Sequence, residues 1–150
     1  KAAKQVVTYC IRNDIGTLIV GYNTTFQRSS DLGRQMNQVF VGIPFGILRR
    51  KLKYLCEMNG IRYVEQEESY TSMASFWDLD EMPVYGEAGL VPPVFSGRRI
   101  CRGLYQDRSG RRINADVNGA LNIMRKCNIV SLRALYDRGD VDTPVRIRIA

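Results

Sequence analysis

The chain has 150 residues, 45% of them apolar and 25% charged, with a formal charge of +7. That size suits one domain or a portion of a larger protein, and the apolar fraction excludes wholesale disorder. No apolar run approaches the roughly 18 residues of a membrane span and no signal peptide opens the chain, so no membrane partner is expected.

Residues 2–12 place Val6, Val7, Cys10 and Ile11 at the three-and-four spacing of a helix face, and Asn13-Asp14-Ile15-Gly16 ends it. Thr17-Leu18-Ile19-Val20 reads as a buried strand with Gly21-Tyr22-Asn23 at its end. Residues 24–38 are polar and read as an exposed connection. Phe45, Leu48, Leu52 and Leu55 then predict a helix, with Pro44 near its start and Gly60 just past its end. Its outer face carries Arg49, Arg50, Lys51 and Lys53, which suit a solvated face as well as a phosphate contact. Residues 61–66 follow as a strand, so strand, helix and strand form a βαβ-type unit and the fold class is α/β.

Residues 70–95 contain Pro83, Pro92 and Pro93 with little periodicity and read as an irregular insertion. Asn114 is an N-cap for a helix reaching Lys126, with Val117, Ala120, Leu121 and Met124 on its apolar face. The tail from Ser131 is weakly patterned; its residues 145–149 alternate as a short strand would.

Chemistry is constrained by what is scarce. The four cysteines (Cys10, Cys56, Cys101 and Cys127) are far apart without CxxC spacing, and there is no histidine. A zinc site would require all four thiols to converge; they read as reduced, partly buried small residues instead. Without histidine there is no Ser-His or Cys-His nucleophile system, so catalysis would rest on carboxylates with a metal. Charge falls in blocks. Residues 65–88 hold seven acids and no Lys or Arg, while residues 98–112 hold six arginines against Asp107 alone. Arg grips phosphate in a fork and stacks on bases, so this second block suits nucleic acid better than mere solubility.

Five ordered blocks carry a resemblance. They are Asn37-Gln-Val-Phe40 leading into Ile43-Pro-Phe45, then Gly60-Ile61, Glu67-Glu68-Ser-Tyr-Thr-Ser72, Phe95-Ser-Gly-Arg-Arg99 and Asn114-Ala-Asp-Val-Asn118. Together they resemble the C-terminal part of the TnpB (OrfB) family of insertion-sequence transposases, which are RNA-guided DNA endonucleases. The resemblance implies an RNase H-like (RuvC-like) partial nuclease domain over residues 1–126. A degenerate zinc-ribbon-like, Arg-rich insertion would occupy residues 69–112, and residues 127–150 would be a C-terminal tail.

It also implies site residues. Asp116 falls on the family's last catalytic carboxylate, in the first helical turn, where the helix dipole favours an ionised acid. The middle Glu of the family would fall on Gly21, a departure, and Glu67 or Glu68 before Tyr70-Thr-Ser72 is the substitute. On a strand these two point opposite ways, and Glu67 is the preferred metal ligand beside Asp116. Mg2+ or Mn2+ would be held by such carboxylates, activating water and stabilising the leaving oxygen. Arg98, Arg99, Arg102, Arg111 and Arg112 would meet nucleic-acid phosphate.

The family's cysteine pair falls on Ser75 and Asp78, so no zinc is expected, and Phe76, Trp77, Leu79, Tyr85, Phe95 and Tyr105 would hold the insertion by packing. The first catalytic Asp and the guide-RNA module would lie ahead of Lys1. The expected partners are DNA and, in the intact protein, a guide RNA; the expected location is the cytoplasm, on the nucleoid. The rival reading is a catalytically inactive, nucleic-acid-binding remnant of a transposase.

Overall fold

The structure, a computed structural model, describes residues 1–23, 45–85, 93–139, 141 and 144. The expected connection over residues 24–38, the blocks at 37–40 and 43–44 and the possible strand at 145–149 lie outside the described residues. The chain divides into two compact units, the first formed from residues 1–65 and the second from residues 66–146.

The first unit begins with α1 (Ala2–Arg12), which buries Ala3, Val7 and Cys10 on one stripe. Asn13 closes it by donating its side-chain amide to the Tyr9 carbonyl at 2.8 Å. Strand β1 (Thr17–Tyr22) follows, then α2 (Phe45–Met58), which buries Leu52 and Cys56. These side chains and Ile61 form one core, with Leu18, Val20, Leu48, Leu55 and Tyr63 packed on it. Strand β2 (Arg62–Glu67) pairs with β1, and the Arg62 N–H donates to the Gly16 carbonyl at 2.9 Å, so the two strands start side by side. On α2, Arg49 bonds the Glu65 carboxylate at 3.2 Å and lies 5.4 Å from the Tyr22 ring centroid. The solvated-face alternative therefore needs refining at this position, because Arg49 is tied to its own sheet.

The second unit is organised around α3 (Ala115–Cys127). Asn114 caps it by accepting the N–H groups of Asp116 and Val117 at 2.9 and 3.1 Å, satisfying two of the donors a helix start leaves open. Ahead of it lies an antiparallel meander of β3 (Arg98–Cys101), β4 (Leu104–Gln106) and β5 (Arg112–Asn114). The Arg-rich block is thus a three-stranded sheet with a register shift between Arg99 and Cys101, while the described part of residues 70–95 holds turns and irregular chain without helix or strand. Gly97 makes the sheet possible. A Cβ there would stand 2.6 Å from both the Gln106 carbonyl oxygen and the Tyr105 ring, so only glycine lets the chain enter β3 across Tyr105.

The core of this unit contains Phe76, Tyr105, Ile113, Ala115 and Leu121. A short helix, α4 (Arg133–Arg138), adds Tyr136, whose ring stacks on Phe76 at 4.8 Å. Of the six residues expected to pack the insertion, Leu79 and Tyr85 are instead largely exposed, at 56% and 69%. The α3 face also differs from expectation: Ala120 is exposed, whereas Asn118 and Asn122 are fully buried. Both amides clasp the preceding loop. Asn118 accepts the Phe76 N–H and donates to the Ala74 carbonyl, and Asn122 donates to the Thr71 and Ala74 carbonyls. Residues 71–76 therefore run along α3 from its C-terminal half towards its N-terminus.

Candidate nucleic-acid interface

The meander's register sorts the arginines. Arg98 pairs with Gln106 and Gln106 with Arg112, so these three share one row and one face of the sheet. Arg99, Tyr105 and Ile113 form the next row on the opposite face, where Tyr105 and Ile113 are buried. The Arg98 row consequently faces solvent. At the ordinary strand spacing, Arg98 and Arg112 stand about 10 Å apart across it. Arg98, Arg102 and Arg112 are exposed and have no side-chain partner among the described residues.

Arg111 is different. Its guanidinium lies over the Trp77 ring, 4.6 Å from the centroid, with Nε 3.7 Å from the Asp107 carboxylate and Nη1 donating to the Gly139 carbonyl at 3.4 Å. It braces the fold. Arg99 lies between these cases, 3.8 Å from the Asp116 carboxylate in an exposed pair that adds little stability.

The candidate carboxylates are separated. Asp116 is in the first turn of α3 with its side chain 88% exposed. Glu67, at the end of β2, bonds Lys126 Nζ at 2.6 Å, in the last turn of the same helix. Asp116 and Lys126 are ten positions apart on α3, about 15 Å of helix axis. The same ammonium donates to the Ser69 and Pro83 carbonyls, so all three of its hydrogens are used. Burial raises the Glu67 carboxyl, but the Lys126 and Ser69 bonds outweigh it and hold the group below the usual range. Burial, followed by the Glu67 charge, pushes Glu68 above it. Among the described residues no three of His, Cys, Asp and Glu converge on a cation position. The described residues of this chain do not build a divalent-metal site by themselves.

The segment at residues 75–80 is held by hydrogen bonds. Ser75 is fully buried, and its N–H donates to the Asp80 carboxylate at 2.8 Å. The Ser96 N–H and hydroxyl donate to the same carboxylate at 2.9 and 2.6 Å, and Arg125 donates to the Asp80 carbonyl. The Arg108 N–H reaches Asp78 at 3.0 Å. Two acids thus join the segment at 75–80 to those at 96 and 108. Burial raises the Asp80 carboxyl, and the Ser96, Ser75 and Arg125 interactions bring it below its ordinary value. The Tyr105 hydroxyl, donating to the Met73 carbonyl at 2.7 Å, is pushed up to about 12 by burial and by Asp80, Asp78 and Asp107.

A family model described as Cas12f1-like, TNB domain matches residues 45–123, more than half of the chain. The chain belongs to this family. No curated protein matches it. The Cas12f1-like family is TnpB-related and RuvC-like, which agrees with the α/β architecture of helices and small sheets found here. Membership marks a nuclease-family domain whose partners include nucleic acid and whose RuvC-like relatives generally use divalent metal. Among the described residues no helix is long and apolar enough to cross a membrane. The residues that sequence reasoning missed are Asn118, Asn122, Asp80 and Lys126. Asn118 stands inside the Asn114–Asn118 block that carries the family resemblance and Asn122 lies one turn beyond it, but neither position by itself signals burial against a distant loop.

Proposed function

We propose that this chain is the C-terminal portion of a transposon-encoded, RNA-guided DNA endonuclease, contributing a strand-binding face and one metal-ligating carboxylate. The observation that carries the proposal is the outward row of Arg98, Gln106 and Arg112 on a sheet whose last strand runs directly into the helix presenting Asp116. Free guanidinium groups on one side of a small sheet fit phosphate contact. An exposed Asp in the first turn of a helix is available to a cation. Asp116 serves as one ligand of a centre completed by groups outside the described residues, with guide RNA and target DNA bound by the intact protein. Glu68 remains the carboxylate open to such a role near β2, because Glu67 is occupied by Lys126.

In the intact protein, Asp116→Asn abolishes DNA cleavage while guided binding persists, since the amide keeps the shape and removes the charge. Arg112→Ala weakens strand binding and lowers its salt dependence by about one counterion. Cleavage retained in Asp116→Asn refutes the role of that carboxylate. A second reading, an inactive nucleic-acid-binding remnant, is favoured by Gly21, which lies in β1 where the family's Glu would fall. It is the outcome if the unmodified protein binds strands and cuts none in Mg2+ or Mn2+.

A further inference from the structure

The second unit contains an open cleft of ≈ 690 Å³ beside the start of α3. That volume is within the range of ordinary small-molecule sites and can take a nucleotide. Its walls are of two kinds. Trp77, Leu104 and Val117 form an apolar slot, and Arg111, Arg112 and Asn114 stand around it. The slot is built in advance of any ligand. Arg111 is fixed over the Trp77 ring by Asp107 and the Gly139 carbonyl, and Trp77 is fixed edge-on against Phe76 at 5.1 Å and Tyr136 at 6.0 Å.

The polar groups on the rim have unused capacity. The Asn114 side-chain oxygen is engaged by the helix start, which leaves its amide NH2 without an acceptor among the described residues. Arg112 is exposed, belongs to the outward row of the meander and also lines the cleft. A strand laid along that row would reach the cleft at Arg112.

We propose that this cleft binds an unpaired nucleobase of a nucleic-acid strand. The base packs against the Trp77–Arg111 pair, Asn114 donates to its edge and Arg112 holds its phosphate. Stacking on an aromatic ring or a guanidinium plane needs a free base face, and the Asn114 donor needs a free base edge; a base inside a duplex offers neither here. The inference rests on the nucleic-acid reading of the Arg98 row and adds to it the form of the ligand and the place where a base is gripped. Asn114 and Val117 flank Asp116 in sequence, so the gripped base would lie next to the exposed carboxylate.

Trp77 is the chain's single tryptophan, so its emission reports on this cleft alone. The purified chain is titrated with oligodeoxythymidylate, with oligouridylate, with an abasic strand of equal phosphate number and with a duplex of equal length. Binding is followed by anisotropy of a labelled strand and by Trp77 emission. Saturable quenching by either unpaired strand, with the abasic strand and the duplex binding without quenching, supports the proposal. The ratio of the two quenching midpoints then tells which sugar is preferred. Arg112→Ala, which breaks no side-chain bond among the described residues, shifts the midpoint upward several-fold. Equal quenching by the abasic strand overturns the proposal, because phosphate alone would then account for the signal. Binding by anisotropy with unchanged Trp77 emission also overturns it while leaving the outer arginine row intact. Absence of binding by every strand removes both readings.

Discussion

Asp80→Ala is expected to loosen the second unit severely, because one carboxylate joins two separate segments of its loops. Its oxygens accept the Ser75 N–H, the Ser96 N–H and the Ser96 hydroxyl. Hydrogen bonds to a charged group contribute about 1.5–3 kcal/mol each, and Asp80 is only half-buried, so the low end applies. Removing all three, with the N–H of fully buried Ser75 left unpaired, costs about 4 kcal/mol, a large share of a typical domain's stability. Asp80→Asn keeps one oxygen for the two N–H groups and loses the charge, so about half that cost is expected.

Urea unfolding followed through Trp77, which lies in the same unit, measures both variants. The pH dependence gives an independent check. The folded Asp80 carboxyl lies below its ordinary value, so its contribution is fully present above the unfolded pKa of about 3.9 and fades as pH falls through the folded value. The gap between the unmodified chain and Asp80→Asn should therefore hold steady from about pH 5 to 8 and narrow below about pH 4. An Asp80→Ala chain within about 0.5 kcal/mol of the original, the range of ordinary surface changes, would show that these bonds do not hold the insertion.

Lys126→Met strands the Glu67 carboxylate and two carbonyls; with the pair 11% and 21% exposed, a loss of about 3 kcal/mol is expected in the same unfolding assay. Adding Glu67→Gln should recover part of it, and a neutral single variant would contradict the clamp. Gly97→Ala places a methyl group 2.6 Å from the Gln106 carbonyl and the Tyr105 ring, so the β3 entry must shift at a cost of about 1–3 kcal/mol. A thermal midpoint equal to that of the original chain would show that the approach is not tight.

The three longer helices were legible from the chain because their signals are local. Apolar spacing marked α1 and α2, and Asn114 marked the start of α3 by capping the residues directly after it. The strands at Thr17 and Arg62 were legible for the same reason, as short apolar runs beside turn residues. The family blocks identified the domain.

Position in space was a different matter. Strand β3 has four exposed residues and no apolar alternation, so nothing local announces it; its partner strand and the Gly97–Tyr105 contact create it. Asn118 and Asn122 are polar residues that periodicity does not place in a core, yet their carbonyl and N–H partners lie 42 to 51 residues away and bury them. The roles of Glu67 and Arg111 were likewise decided at a distance, by Lys126, 59 residues along the chain, and by the ring of Trp77. Sequence order determined which chemical groups the chain carries and where its helices begin. Tertiary packing decided which of those groups are already engaged, because a buried or paired charge is set by neighbours that periodicity cannot reveal.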